Sequence, residues 1–134
     1  MKTFYRITVP VIAMLIIGLI SACGKDSNGG TTDIYIPDIN GNWINAQDAN
    51  NQFSFFDAPS QAATGTFNGN ETQDGAGIAT ITGSFNHSKI DFTVTYNDNS
   101  KPAATYSGTV SGTANQKMVL KSAGKTVTLN KQQF

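Results

Sequence analysis

The chain has 134 residues, 9 of them basic and 9 acidic, with one Cys and one His. That length supports one domain. A formal net charge of zero excludes the basic excess of a nucleic-acid binder, and a single Cys excludes an intramolecular disulfide or a multi-Cys zinc site.

The first element is an address. Lys2 and Arg6 precede Val11 to Ile20, an unbroken apolar run, and Ser21, Ala22 and Cys23 follow it. A basic start, a short apolar stretch and small residues before a cut site are the grammar of a signal peptide, read over residues 1–22. A spanning helix needs about 20 apolar residues, so a permanent transmembrane helix fits less well. Ile20-Ser21-Ala22-Cys23 resembles the lipobox of bacterial lipoproteins. The resemblance implies that the Cys23 thiol takes diacylglycerol and becomes residue one after cleavage. Further acyl chains, palmitate among them, then anchor the chain in membrane lipid. It also implies a bacterial cell-envelope location. Gly24, in place of the Asp that retains such proteins at the inner membrane, implies the outer membrane.

The second element is a tether. Residues 23–37 carry the cysteine and then GKDSNGGTTDIYIP. Gly, Ser, Asn, Asp and Thr cannot bury enough apolar area to order themselves, which predicts a flexible linker. Ile34-Tyr35-Ile36 is apolar and predicts a short edge strand ended by Pro37.

Residues 38–134 form the folded part. It has two leucines, Leu120 and Leu129, and one glutamate, Glu71, so strong helix formers are scarce. Apolar residues alternate instead, without a fault from Ile90 to Tyr96. Period two over such runs means half-buried strands. Eight are expected, over 41–46, 52–57, 62–68, 77–85, 88–96, 103–111, 116–122 and 125–131. Turn chemistry lies between them at Asn50-Asn51, Asn68-Gly69, Asp74-Gly75, Asn97-Asp98-Asn99, Gly112-Thr113 and Ala123-Gly124. The expected class is all-β: an eight-stranded antiparallel up-and-down meander barrel, behind an N-terminal signal helix and a flexible tether. Closure removes exposed sheet edges. Eight strands leave room for packed side chains or one small ligand.

Alternation also predicts the inside: Trp43, Phe53, Phe55, Phe67, Ile81, Phe85, Ile90, Phe92, Val94, Tyr96, Tyr106, Val110, Met118, Leu120, Val127 and Leu129. Thr93, Thr95, Ser107, Thr109, Lys117 and Lys121 are expected to meet water.

Gly41-Asn42-Trp43 at the start of the first strand resembles the G-x-W of the lipocalin and avidin superfamily, in which the Trp plugs the closed end of the barrel. Gly65-Thr66-Phe67, the run Asp91 to Tyr96, Ala104 to Gly108, and Met118-Val119-Leu120 are similar to successive avidin strands. The resemblance implies the scaffold and makes Asn45 the counterpart of a ureido-binding Asn. It does not extend to the biotin chemistry. Phe67 stands where that family has a hydroxyl, and Tyr96 and Val119 stand where it has stacking tryptophans.

Other chemistry is poorly represented. His87 sits in a turn-like Asn86-His87-Ser88 with no nucleophile and acid converging on it. Asn70, Thr72 and Asp74-Gly75 lack the carboxylates and terminal Glu of a calcium loop. No catalytic residue and no metal ligand is assigned, and no cofactor is expected beyond the lipid on Cys23. Two functions remain. One is a non-enzymatic, anchored barrel that takes a small apolar or amphipathic ligand at its mouth through Asn45, Phe67, Tyr96 and Tyr106. The other is a solid-cored lipoprotein that acts through its surface on an envelope protein or a protease.

The charge balance resolves on inspection. Without residues 1–22 the chain keeps 7 basic and 9 acidic groups, a formal −2. Every acid lies at or before Asp98, and residues 99–134 carry five lysines.

Overall fold

A computed structural model describes residues 34–99 and 101–133. The expected signal peptide, Cys23 and the first part of the tether lie outside the described residues.

Eight strands follow in order: β1 (Gly41–Asn45), β2 (Asp48–Phe56), β3 (Thr64–Gln73), β4 (Ala76–Asn86), β5 (Lys89–Tyr96), β6 (Ala104–Ser111), β7 (Lys117–Ser122) and β8 (Lys125–Lys131). Each pairs antiparallel with the next, and β8 returns to β1 through Trp43 opposite Lys131 and Asn45 opposite Leu129. The result is the closed up-and-down barrel that the alternation predicts, with no helix among the described residues.

Local chemistry explains the tight connections. Asp74 (φ 52°) and Gly75 (φ 78°) link β3 to β4, and Ala123 (φ 47°) and Gly124 (φ 76°) link β7 to β8. Two successive positive φ values define the mirror-image turn whose twist suits a hairpin.

Two expected turns are strand instead. Asn50-Asn51 lies within β2, and the chain turns earlier, at Ala46-Gln47. Asn68-Gly69 lies within β3, which runs on to Gln73. Gly69 serves packing there. A Cβ on it would sit 2.8 Å from Phe55 Cδ1 and 2.7 Å from the Ser54 carbonyl oxygen. Ile34-Tyr35-Ile36 is not a strand. The segment crosses one end of the barrel, held by side chains rather than by a ladder.

The core is solid. Trp43, Ile90, Val94, Val110, Met118, Leu120 and Leu129 have no exposed surface. Phe55 makes edge contacts with Phe67 at 5.1 Å and Phe92 at 5.4 Å, and Phe92 stacks on Tyr106 at 4.9 Å. Aromatic pairs at such distances add stabilisation beyond the area they bury. Tyr96, Tyr106 and Val127 face inward but are only half-buried; they lie near the end of β5 and the starts of β6 and β8. Thr93, expected to meet water, is also half-buried. Ile39, Ala58 and Ala79 join the core, as do three polar residues, Asn51, Glu71 and Gln116.

Candidate functional site

The barrel has two unlike ends. At one, here called the base, β1 starts and β2 ends. Trp43 faces inward nearby and donates Nε1–H to the Ile39 carbonyl at 2.9 Å. Residues 35–39 lie across this end. Tyr35 donates its hydroxyl proton to the Gly112 carbonyl at 3.0 Å. Lys131 pairs with the Asp38 carboxylate at 2.5 Å, donates to the Asp38 carbonyl at 2.8 Å, and sits 5.7 Å from the Trp43 ring centroid. Gln116, oriented to satisfy both neighbours, donates to the Asp38 carbonyl at 2.7 Å and accepts from its N–H at 3.1 Å. Trp43 thus occupies the sealed end.

The opposite end, the mouth, is where β1, β3, β5 and β7 finish and β2, β4, β6 and β8 begin. A chain of polar side chains points inward there. Asn45 donates Nδ2–H to Asn51 Oδ1 at 3.0 Å, and Asn51 donates Nδ2–H to Glu71 Oε1 at 2.7 Å. Glu71 is 5% exposed, and its Oε2 has no hydrogen-bond partner among the described residues. A buried acceptor left without a donor costs about 1–3 kcal/mol, more when charged.

Strand irregularities mark the same spot. Pairing shifts between Ile44 and Asn45 in β1, and between Glu71 and Thr72 in β3. Bulges of this kind cluster at barrel rims and re-aim side chains. Both fall on members of the polar chain.

Electrostatics tie three strands and one loop to the carboxylate. Burial pushes the Glu71 carboxyl above its ordinary value, against the pull of the Asn51 hydrogen bond and the Lys101 charge. Burial likewise raises the Tyr96 phenol, with the Glu71 charge adding to the shift. Tyr106 is pushed up to about 12 by burial, then by the charges of Glu71 and Tyr96, with a Ser122 hydrogen bond opposing. Lys101, in the β5–β6 loop, places its ammonium 5.2 Å from the Tyr96 ring centroid.

Among the residues expected at the mouth, the structure brings together Asn45, Tyr96 and Tyr106. Phe67 lies deeper, buried against Phe55 and Phe92. Its ring is part of the packed floor below the mouth. Asn51 and Glu71 were missed by sequence reasoning. The signal was there: the inward parity of Phe67 and Gly69 continues to Glu71, and that of Phe53 and Phe55 runs back to Asn51.

His87 is exposed at the β4–β5 turn, with Nδ1 2.6 Å from Asn86 Oδ1. Lys117, Lys121 and Lys125 are exposed. Among the described residues, no group of three or more His, Cys, Asp or Glu is placed to hold a metal ion.

Fold and site together define a closed eight-stranded β-barrel, sealed at one end and polar at the other. Its architecture is compatible with a lipocalin- or avidin-like scaffold. No protein-family model matches the chain, and neither a curated protein nor a solved structure does.

Proposed function

We propose that this chain is a non-enzymatic lipoprotein of the bacterial cell envelope, anchored through Cys23 in the outer membrane. Its barrel takes a small amphipathic ligand at the mouth. The carrying observation is the Asn45–Asn51–Glu71 chain, which ends in a buried oxygen with no partner among the described residues. A barrel serving only as a rigid spacer gains nothing from an under-satisfied carboxylate. Ligand sites, by contrast, combine apolar walls with a few convergent polar groups. The aromatic floor of Phe53, Phe92 and Tyr106 fills the space below. That favours a short ligand with a polar head over a long acyl chain buried in the barrel.

The connectivity supports the same reading. The described chain enters the barrel at its sealed base. Residues 24–33 can span at most about 35 Å when extended.

A second reading is a surface-acting partner of an envelope protein or a protease. It draws on the exposed apolar side chains Ile34, Ile36, Phe56 and Val119.

Two measurements test the proposal. Metabolic labelling with an alkyne fatty acid is expected to mark the wild type and not Cys23→Ala; a labelled variant removes the anchor. A thermal-shift panel of small amphipathic metabolites is expected to contain stabilisers, each adding about 1.4 kcal/mol at ten times its Kd. A flat panel, with no response to fluorescent fatty-acid or retinoid probes either, would favour the surface-acting reading.

A further inference from the structure

Glu71 is the only glutamate in the chain, and it is placed where a carboxylate is costly. One oxygen accepts from Asn51, and the other is buried with no hydrogen-bond partner among the described residues. Around it stand the Asn51 amide and the phenols of Tyr96 and Tyr106. The Asn51 carbonyl oxygen is already occupied by Asn45, and Tyr96 and Tyr106 supply half-buried phenol rings. Among the described residues, the cation that acts on Glu71 is Lys101, from an exposed loop position. It rests on the Tyr96 ring and acts on Glu71 through its charge. The mouth therefore already draws in an ammonium group, but leaves the hydrogen bond to Oε2 unmade.

We infer that the mouth binds a small organic ammonium ion, which donates N–H to Glu71 Oε2 and lays its alkyl body against Tyr96 and Tyr106. Lys101 occupies the Tyr96 face in its absence and gives way when it binds. The inference rests on the reading of the mouth as a ligand site and narrows that reading to one charge class. An anionic head would meet the Glu71 charge, with Lys101 as its single counter-ion. A neutral hydroxyl would also make a charge-assisted bond to Oε2, but it brings no opposite charge to the buried carboxylate. The groups that face Glu71 are Asn51 from β2, Tyr96 from β5, Tyr106 from β6 and Lys101 from the β5–β6 loop. Glu71 is the acid among them, and burial raises its carboxyl above the ordinary value, so binding is expected to weaken as that carboxylate is protonated.

The test is an NMR titration of the full chain in detergent with three matched probes: butylammonium, butanol and butyrate. Butylammonium is expected to saturate, with shifts at the amides of Asn45, Asn51, Glu71, Tyr96 and Tyr106, and to bind about tenfold more tightly than butanol. Butyrate is expected not to saturate. Glu71→Gln keeps an acceptor for Asn51 and is expected to weaken butylammonium about ten- to hundredfold. Lys101→Gln removes the resident cation and is expected to strengthen it about threefold. If butanol binds as tightly as butylammonium at the same amides, the charge class is wrong and the mouth site stands. If none of the probes shifts those amides, the mouth reading falls with it. Should Glu71→Gln fail to fold, the exposed Lys101→Gln variant decides: weaker butylammonium binding there overturns the inference.

Discussion

Trp43→Ala is expected to lower the unfolding free energy by about 3–5 kcal/mol, the range for truncating a buried tryptophan. Three losses combine. The indole is wholly buried and packs against Phe55 at 6.3 Å, so its removal opens a cavity beneath the aromatic cluster. The Ile39 carbonyl loses the Nε1–H donor that fixes the segment across the base. Lys131 loses the ring it rests against. Domains of this size have about 5–15 kcal/mol in total, so the variant would be marginal. Urea denaturation measures the loss, and hydrogen exchange at residues 34–40 locates it. Trp43→Phe separates the causes: it keeps a ring and loses the hydrogen bond, for a smaller loss of about 1–2 kcal/mol. A Trp43→Ala protein within about 1 kcal/mol of wild type would show that the base is held by Tyr35, Gln116 and Lys131 instead.

The base illustrates what sequence alone could carry. Period-two alternation put Trp43 inside and named eight strands, because a closed barrel imposes one facing rule on every strand. The rule depends on parity and on nothing distant, so it is readable locally. The segment at Ile34-Tyr35-Ile36 obeys no such rule. Tyr35 is tied to Gly112 while Ile34 and Ile36 stay exposed, and strand-like composition does not distinguish such a segment from a paired strand. Two asparagine-bearing pairs misled for a related reason. Asn50-Asn51 and Asn68-Gly69 have turn chemistry, and isolated peptides of that composition would bend. In the fold, Asn51 is buried as a donor to Glu71, and Gly69 makes room for Phe55. Tertiary contacts outweighed local preference at both.

The site was partly legible. Tyr96 and Tyr106 follow from parity, and Asn45 from its resemblance to a ureido-binding Asn. Phe67 shares that parity but lies deeper, because strand tilt sets depth and tilt is not written in one strand's residues. Glu71 was hidden by the early turn assigned at Asn68-Gly69, which moved it into a loop. With β3 read through to Gln73, an inward glutamate becomes the most conspicuous polar position in the barrel.

Asn51→Ala is expected to cost about 2–3 kcal/mol at neutral pH, the worth of a hydrogen bond to a charged group plus its lost packing. Asn51 supplies the one described hydrogen bond to the Glu71 carboxylate, at 2.7 Å, and receives one from Asn45. Its removal leaves a buried charge without a donor and frees the Asn45 amide. The cost depends on pH, and the direction follows from Glu71. Its folded pKa is raised by burial and restrained by Asn51 and Lys101. A carboxyl raised in the folded state contributes stability below its unfolded pKa, and that contribution is lost as pH rises through the folded value. Without Asn51 the folded value climbs further, so the loss grows between the ordinary carboxylate range and neutrality. The deficit against wild type is therefore expected to shrink in acid, where the carboxyl is neutral in both proteins. Denaturant melts at several values between about pH 4 and pH 8 measure it. In a Glu71→Gln background the same Asn51→Ala change removes a bond between neutral groups, for about 1 kcal/mol at every pH. The difference between the two backgrounds isolates the charge as the coupled term. A deficit that stayed constant with pH, or was equal in both backgrounds, would mean that Glu71 is already neutral in the folded barrel. The mouth would then present a carboxylic acid, and the ammonium ligand would have no charge to meet.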